Sequence, residues 1–439
     1  MDIREEDSVM MNAKMPFAQM PRERLEEKLS ALRTAYEEYK AQGLKLDMSR
    51  GKPGADQLDL SMGMLTCIDG REGYAAANGL DTRNYGLVDG LPEAKALFAD
   101  ILHMDANNVI VGGNSSLNMM FDYIAQAYGT GLCGNAPWST QGEVKFLCPA
   151  PGYDRHFAVT AHFGIKLIPV AMTADGPDMD AVEELVKDPA VKGMWCVPMY
   201  SNPDGITYSD ATVRRIAALK PAAKDFRVMW DNAYCLHHIE EIGDTLLDLY
   251  PELVKNGNED MAVMFTSTSK ISFPGAGVAA LAASPANIAD IKRRMTVQTI
   301  GYDKMNMLRH VKFFKDLDGI KAHMKRHAAV LRPKFAAVTD ALERHLGGTD
   351  VASWHSPNGG YFVSVNLMAG CAKRTIELLA AAGVNMTPAG ATYPYGNDPR
   401  DANLRIAPSY PTVEELTTAM ELFCICAQIA CAEKCLAKI

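Results

Sequence analysis

A lysine that follows a predicted buried strand is the residue in this sequence best placed to do covalent chemistry. Residues 261–265 form an apolar run suited to such a strand, and the chain then passes through hydroxyl side chains before it reaches Lys270. Pro274 and Gly275 turn the chain soon afterwards. Open α/β sheets bind ligands at the carboxyl ends of their strands, where a partly desolvated amine can condense with a carbonyl group. Most lysines after strands are simply exposed, so the prediction depends on the other segments.

Polar residues follow the other predicted strands in the same way. The turns that share this position are Pro-Gly-Tyr at 151–153, Tyr-Ser-Asn-Pro-Asp-Gly at 200–205, Asp-Asn-Ala-Tyr at 231–234 and Ser-Thr-Ser-Lys at 267–270. The β-like runs alternate with helix-like runs, which predicts a mainly parallel sheet covered by helices on both faces. Right-handed crossovers place successive carboxyl ends at one edge of the sheet, so we expect these turns to form one site.

Two further segments offer groups that bind anions. Residues 109–121 read as a strand, a glycine turn, a small polar cluster and a helix, an arrangement that can present backbone N–H groups to an anion. An ordinary helix cap accounts for a single serine there equally well. Near the carboxyl terminus, Arg405 stands among apolar neighbours, which is costly unless an anion meets it.

The predicted edge therefore combines an amine, a carboxylate, a tyrosine, an amide, an aromatic ring, an anion-binding helix start and a lone arginine. Pyridoxal phosphate (PLP) needs nearly that set: a lysine for a Schiff base, a carboxylate for its pyridine nitrogen, donors to its ring oxygen, a stacking ring and phosphate ligands. The chain resembles the fold-type I PLP-dependent aminotransferases, and within them a divergent subgroup of aspartate aminotransferases. Matching motifs occur in the expected order from about residue 46 to about residue 410.

The resemblance implies a role for each motif. Lys270 matches the lysine that forms the Schiff base, Asp231 the aspartate that pairs with the pyridine nitrogen, and Tyr234 the tyrosine that binds the ring oxygen, so these are the expected catalytic residues. The other residues implied to bind the cofactor are Asn114, Ser115, Ser116, Tyr153, Asn202, Ser267, Ser269 and Tyr85. The residues expected to bind the substrate are Arg405, on its α-carboxylate, with Gly51 and Asn202.

The resemblance also implies the fold and the assembly. We expect an α/β fold of fold-type I, with a mostly parallel central sheet in a large PLP-binding domain at 59–316 and a smaller α+β domain. Residues 1–58 form an N-terminal arm and part of the small domain, and residues 317–439 supply a spine helix and the rest of it. Tyr85 resembles a tyrosine that reaches the phosphate of the neighbouring subunit, which implies a homodimer.

The implied reaction is transfer of an amino group between an amino acid and a 2-oxo acid by a ping-pong mechanism. Aspartate and 2-oxoglutarate are the substrates that the subgroup favours. A β-lyase, a decarboxylase or a transaminase of broader specificity uses the same lysine, aspartate and tyrosine on the same fold and stays an alternative. A PLP-binding regulatory domain is a weaker alternative, because the residues before Arg50 are too few and too acidic for a DNA-binding head.

The sequence departs from the family after the lysine. The family usually carries an arginine eight positions further on, where it neutralises the phosphate, and Val278 stands there in this chain. No lysine or arginine lies between Lys270 and Lys292. We expect the phosphate to rest on hydroxyls and backbone N–H groups, with Ser272 as an added candidate, or on a cation from elsewhere. The distal carboxylate of a substrate has candidate partners that the sequence does not separate: Arg50, Lys52, Lys304 and Arg309.

Composition argues against several other classes of protein. The 439 residues carry a net charge of −9 without a block of basic residues, so neither nucleic acid nor an anionic membrane is an expected partner. No signal-peptide pattern stands at the amino terminus and no apolar run approaches membrane-spanning length, so we predict a cytoplasmic protein. The ten cysteines lack paired spacing, so we expect neither disulfides nor a metal site. Cys424, Cys431 and Cys435 are predicted to be buried as small apolar residues.

Overall fold

The computed structural model describes residues 15–69 and 72–438, which form two compact units. The large unit comprises residues 52–330 and 357–360, with 70 and 71 outside the described residues. The small unit comprises, within the described ranges, residues 15–51, 331–356 and 361–438.

The strands fall into three sheets in the described part of the chain. Numbered in chain order, they are β1 (Leu46–Asp47), β2 (Val109–Val111), β3 (Lys145–Ala150), β4 (Lys166–Thr173), β5 (Gly176–Pro177), β6 (Val191–Cys196), β7 (Arg227–Asp231), β8 (Ala262–Ser267), β9 (Ala279–Ala283), β10 (Ala352–Trp354), β11 (Val363–Leu367), β12 (Val384–Asn385) and β13 (Asn403–Ile406). In the large unit the order is β2-β9-β8-β7-β6-β3-β4-β5. Strands β4, β3, β6, β7 and β8 pair in parallel, whereas β2, β9 and β5 pair antiparallel. The predicted mostly parallel sheet is therefore confirmed, and β9 is a strand that was not predicted.

Helices cover the sheet of the large unit and make most of the small unit. They are α1 (Arg22–Ala41), α2 (Ala55–Asp59), α3 (Pro92–Leu102), α4 (Ser116–Thr130), α5 (Asp154–His162), α6 (Met179–Leu185), α7 (Asp210–Ala217), α8 (Leu249–Lys255), α9 (Pro285–Gln298), α10 (Lys304–Phe314), α11 (Leu317–Leu346), α12 (Ala372–Ala381) and α13 (Val413–Leu436). Residues 317–330 of helix α11 belong to the large unit and residues 331–346 to the small one.

The central strands bury both of their faces. Along β7, Val228 and Trp230 belong to one apolar cluster, whereas Met229 belongs to the cluster on the opposite face of the sheet. Successive side chains of a strand point to opposite faces, so Asp231 continues the Met229 side. Strand β7 is buried along its whole length, and Asp231 is its last residue. The core thus carries the Asp231 carboxylate to the edge of the sheet on a rigid strand.

The small unit is organised around helix α13. Helices α1 and α12 both pack against α13, and Tyr36 of α1 donates a hydrogen bond from its hydroxyl to the Leu378 carbonyl at 2.9 Å. By length and composition α13 could cross a membrane, which corrects the prediction that no apolar run approaches that length. However, 72% of its most apolar window is buried inside the structure, as in the core helix of a globular unit. Its cysteines at 424, 431 and 435 are buried, as predicted.

Candidate active site

Lys270 lies on a turn between β8 and β9 whose ends are hydrogen-bonded to each other. The Thr268 N–H donates to the Val278 carbonyl at 2.8 Å, and the Val278 N–H donates to the Thr268 Oγ1 at 2.9 Å. Inside the turn, the N–H groups of Ile271 and Ser272 both donate to the Thr268 carbonyl, at 3.0 and 2.8 Å. We call residues 268–278 the lysine turn. Its closure depends on Thr268, which follows the last residue of β8.

The side chain of Lys270 faces the aromatic residue predicted to accompany it. Its Nζ lies 4.9 Å from the centroid of the Tyr234 ring, a distance at which a cation and an aromatic face attract each other. The imidazole of His237 is buried and lies within electrostatic range of Lys270. Burial first, and then the charge of Lys270, lower the pKa of His237 well below its usual range. Lys270 and Tyr234 therefore come together as the sequence predicted, beside a neutral histidine.

Asp231 presents one committed and one uncommitted oxygen. Its Oδ2 accepts a hydrogen bond from Nε2 of His156 at 2.9 Å, in a position where both side chains are buried. Its Oδ1 is buried and has no hydrogen-bond partner. Buried carboxylate oxygens without a donor are rare and call for an explanation, and an N–H group of a bound ligand would provide one.

His156 is a site residue that sequence reasoning missed. It lies on α5, where its ring stacks on Trp195 with a centroid distance of 4.3 Å and an interplanar angle of 10°. Tyr153 meets the same imidazole edge-on at 4.8 Å. The available signal was the spacing of Tyr153 and His156 at the start of a helix, because residues three apart share a face. That spacing alone does not show that the histidine reaches Asp231.

The predicted anion-binding segment lies against the lysine turn. Ser115 precedes α4 without using its side chain to cap the helix, and Ser116 is the first helical residue. The Ser269 hydroxyl donates to the Asn114 carbonyl at 3.3 Å and lies 3.1 Å from the Ser267 hydroxyl. The start of a helix exposes N–H groups and a partial positive charge. The structure thus brings these polar residues together around one helix N-terminus.

Two other predicted site residues in the large unit lie in different surroundings. Asn202 lines a small cavity together with Tyr153, His156 and Trp195, next to the Asp231 pair. Tyr85, in contrast, is 79% exposed at the surface of the large unit. An exposed tyrosine of this kind is available to contact a second subunit, whereas Asn202 is already part of the site.

The predicted substrate-binding residues of the small unit form a cluster of their own. Arg405 lies on β13, 8% exposed, and its guanidinium lies 4.8 Å from the centroid of the Phe362 ring. The same ring covers Gly51, because a Cβ atom built there would lie 2.3 Å from Cζ of Phe362. Arg405 also lies 3.4 Å from the Thr387 hydroxyl. A glycine is therefore required where Phe362 closes over the chain beside Arg405.

The candidate cations differ in how well they are satisfied. Arg50 is exposed in the small unit. Lys304 is buried in the large unit, 5% exposed, and its Nζ has a carbonyl of Tyr302 at 3.5 Å. Arg309 donates to Oδ1 of Asn306, while its Nε is buried without a hydrogen-bond partner. Among these cations, Lys304 is the one whose buried charge would be stabilised most by an anionic partner.

More histidines lie on the inner side of the lysine turn. His323 Nε2 is 2.9 Å from the Ile271 carbonyl and 3.0 Å from Nε2 of His327. His327 continues to the side-chain amide of Gln57 at 3.1 Å. Burial lowers the pKa of His323 and lowers that of His327 to about 4. These residues are far from Lys270 in sequence, and no spacing pattern predicted that they lie beside the lysine turn.

Comparison with known proteins places this geometry among relatives. The family described as "Aspartate amino-transferase" matches residues 20–438. The "Aspartate aminotransferase" of Corynebacterium glutamicum is 44% identical over 413 residues, which covers 92% of this chain and 93% of that protein. The crystal structure of an aspartate transaminase from C. glutamicum superposes with a TM-score of 0.93 at 42% identity, over 96% of this chain and 99% of that one.

A more distant structure shares the fold. It is LysN, an alpha-aminoadipate aminotransferase from Thermus thermophilus, solved as a complex with N-(5'-phosphopyridoxyl)-L-leucine. Its TM-score is 0.71 at 19% identity, over 91% of this chain and 96% of that one. At this identity the likeness concerns the fold alone, which agrees with the mostly parallel sheet and the smaller unit described above.

Proposed function

Since the chain belongs to the aspartate aminotransferase family, we propose that it transfers the amino group of aspartate to 2-oxoglutarate, with pyridoxal 5'-phosphate as its cofactor. The family shares aminotransferase chemistry, and the proposal adds that aspartate and 2-oxoglutarate are the two substrates. The observation that carries it is the buried carboxylate of Asp231, with one oxygen held by His156 and the other uncommitted.

The residues present fit the cofactor. A pyridine nitrogen that carries a proton is a donor of the kind that Oδ1 of Asp231 lacks. The phosphate is assigned to the hydroxyls and N–H groups around the start of α4, from Asn114, Ser115, Ser116, Ser267 and Ser269. Tyr153 is assigned to stack on the ring, and Asn202 with Tyr234 to bind the ring oxygen. When bound, PLP supplies a ring that accepts electrons as the substrate Cα loses a proton.

Each assigned residue has a task that follows from its chemistry. The free amine of Lys270 would move the proton between the substrate Cα and the C4′ carbon of the cofactor, first as a general base and then as a general acid. Asp231 keeps the pyridine nitrogen protonated, and His156 holds Asp231 in place. Arg405 is assigned to the α-carboxylate of the substrate, since its fork of donors matches a carboxylate, and Gly51 and Asn202 are assigned to bind the same substrate.

Lys304 is the group we propose for the second carboxylate of a dicarboxylic substrate. A buried ammonium whose contact is a carbonyl at 3.5 Å gains most from an added anion. Lys304→Met should therefore raise the KM for aspartate more than the KM for an apolar amino acid. Equal changes for both substrates would remove Lys304 from this role.

We also propose that the enzyme acts as a cytoplasmic homodimer in which Tyr85 reaches the partner's site. The 79% exposure of Tyr85 supports this, because a large exposed aromatic side chain is a common interface residue. Sedimentation gives the molecular mass of the wild type and of Tyr85→Ala, and equilibrium dialysis gives their affinity for PLP. The expected result is a dimer mass for both proteins and weaker PLP binding by the variant, and a monomer mass for the wild type would overturn the proposed assembly.

The decisive experiment is incubation of the PLP-loaded enzyme with aspartate and 2-oxoglutarate. Transamination predicts oxaloacetate and glutamate in equal amounts. Lys270→Ala should abolish both turnover and the borohydride-reducible visible absorbance of the bound cofactor, because the variant lacks the amine proposed to form the Schiff base. Release of ammonia or carbon dioxide in place of glutamate, or full turnover by the variant, would overturn the proposal.

A further inference from the structure

Side chains of helix α10 lie within hydrogen-bonding distance of both ends of the lysine turn. Asn306, in the first turn of the helix, donates from Nδ2 to the carbonyls of Ala276 and Gly277 at 3.0 and 2.9 Å. His310, one helical turn further on, lies with Nε2 2.8 Å from the Ser272 hydroxyl and 3.0 Å from the Thr268 hydroxyl. Residues four apart lie on one face of a helix, so both side chains reach the same turn.

The hydrogen bonds of His310 define its state. Its Nδ1 lies 2.8 Å from the Asn306 carbonyl, and a carbonyl can only accept, so Nδ1 carries a proton. In the neutral ring Nε2 is then an acceptor, which matches the hydroxyl groups of Thr268 and Ser272. Burial lowers the pKa of His310 to about 4, and the nearby charge of Arg309 acts in the same direction. At neutral pH the ring is therefore a fixed acceptor for the lysine turn.

His310 contacts Thr268, which pairs with Val278, and Val278 is the position in the lysine turn at which this chain departs from its family. Val278, in the place of the usual arginine, is 2% exposed and pairs through its main chain with Thr268. The Thr268 hydroxyl accepts from the Val278 N–H and lies within hydrogen-bonding distance of His310. A single hydroxyl thus joins the closure of the turn to helix α10, with no cation at position 278.

We propose that His310 is a positioning residue for Lys270, which it orients through Thr268 and Ser272. This inference rests on the proposed function, because it assigns His310 to the reaction of that same lysine. His310 does not touch the reacting atoms. It supplies the acceptor that keeps the two hydroxyls, and with them the backbone on either side of Lys270, in one arrangement.

Three variants separate positioning from general damage. His310→Phe keeps a ring of similar size but removes the contacts with the Thr268 and Ser272 hydroxyls and with the Asn306 carbonyl. His310→Gln keeps an amide oxygen that can accept in the place of Nε2. Thr375→Val is the matched control, because Thr375 is fully buried in the small unit and its hydroxyl makes one bond, to the Cys371 carbonyl at 2.8 Å.

The first measurement is amide hydrogen exchange of residues 268–278 in the protein with and without PLP. The second is the pH at which the visible absorbance of the bound cofactor changes, and the third is kcat and KM with aspartate. His310→Phe should speed exchange in the lysine turn at least tenfold, move the absorbance midpoint and lower kcat about 10- to 100-fold, with KM changed less than about threefold. His310→Gln should recover most of each loss.

Exchange and absorbance like those of Thr375→Val would overturn the inference, even if kcat fell. Exchange confined to other segments would do the same. If His310→Phe fails to fold, Ser272→Ala decides, since a positioning role requires that the loss of one of the two hydroxyls facing Nε2 speed exchange in the lysine turn relative to Thr375→Val. A wild-type enzyme that binds PLP but transfers no amino group would overturn the proposed function instead, because exchange in the turn still reports on His310.

Discussion

The two sides of Lys270 use histidine with different partners. At the end of β7 the imidazole of His156 donates to the carboxylate of Asp231 at 2.9 Å. On the inner side of the lysine turn, His310 faces the hydroxyls of Thr268 and Ser272 and a main-chain carbonyl. Both histidines are 1% exposed, so they differ in their hydrogen-bond partners and not in their burial.

The difference lies in which protonation state the partners accept. A carboxylate accepts a hydrogen bond from either the neutral or the charged imidazole. Around His310 the Asn306 carbonyl requires a proton on Nδ1, and burial lowers the pKa of the ring to about 4, so at neutral pH Nε2 accepts from the hydroxyls. We therefore expect the Asp231 side to matter for electrostatics during the reaction, and the His310 side to matter for the geometry of the turn.

The largest expected effect comes from removing the carboxylate. If Asp231 has the proposed role, Asp231→Ala should lower kcat about 1,000-fold, because the pyridine nitrogen of PLP would lose its buried partner. The fold should survive, since Asp231 is the last residue of β7. Activity assays with circular dichroism check this, with Asp210→Ala, an exposed residue at the start of α7, as the control. Near-normal turnover by Asp231→Ala would show that the Asp231 carboxylate is not the group that stabilises charge during the reaction.

The sequence alone predicts the Asp231 side better than the His310 side. Lys270, Asp231 and Tyr234 lie at or just past the carboxyl ends of strands, and the carboxyl ends of parallel strands meet regardless of the distance between them in sequence. His310 and His323 lie on helices whose placement against the turn depends on tertiary packing, which no local pattern encodes. The contact between Gly51 and Phe362 is of the same kind.

Strand β9 and helix α13 are two elements for which local sequence patterns gave a wrong prediction. Strand β9 reads Ala-Ala-Leu-Ala-Ala, with no β-branched residue, so propensity did not predict a strand. It forms because its alanines fit, fully buried, between β8 and β2. Helix α13 is apolar over most of its circumference because neighbours cover it on several sides. In both cases the surrounding protein, rather than the segment, determines the composition.

Acid should remove the stabilisation that the neutral ring of His310 gives to the fold. The pKa of His310 is about 4 when folded and near 6.5 when unfolded, so the unfolded chain binds more protons between those values. The stabilisation by neutral His310 is complete above about pH 6.5 and is lost as the pH falls towards 4. That corresponds to about 3 kcal/mol of unfolding free energy.

Urea unfolding of the cofactor-free protein at pH 7 and pH 4.5 measures this loss. Wild type should be more stable than His310→Gln at pH 7, and the gap should narrow at pH 4.5 because only the wild type carries the titrating ring. A gap that widens with acid would show that His310 is charged in the folded state, and the contrast with His156 would disappear.

Removing His156 should have a smaller effect than removing Asp231. His156→Phe keeps the stack on Trp195 but loses the bond to Oδ2 of Asp231. Residues that orient a functional group typically contribute 10- to 100-fold, so we expect a loss of that size in kcat/KM together with weaker PLP binding. Equilibrium dialysis and steady-state kinetics measure the two quantities. An unchanged affinity would mean that Asp231 keeps its orientation without the histidine.

The smallest effect separates the two hydroxyls that face His310. Ser272→Ala should cost about 1 kcal/mol of unfolding free energy and lower kcat only a few-fold, since Thr268 can still donate to Nε2. Thr268→Val should cost more, because it also leaves the buried Val278 N–H without an acceptor. Thermal unfolding and kinetics of the two variants give the order. If Ser272→Ala is the more damaging, the hydrogen bond that orients the lysine turn runs from His310 to Ser272, and the closure at Val278 is held by the remaining main-chain bond to Thr268.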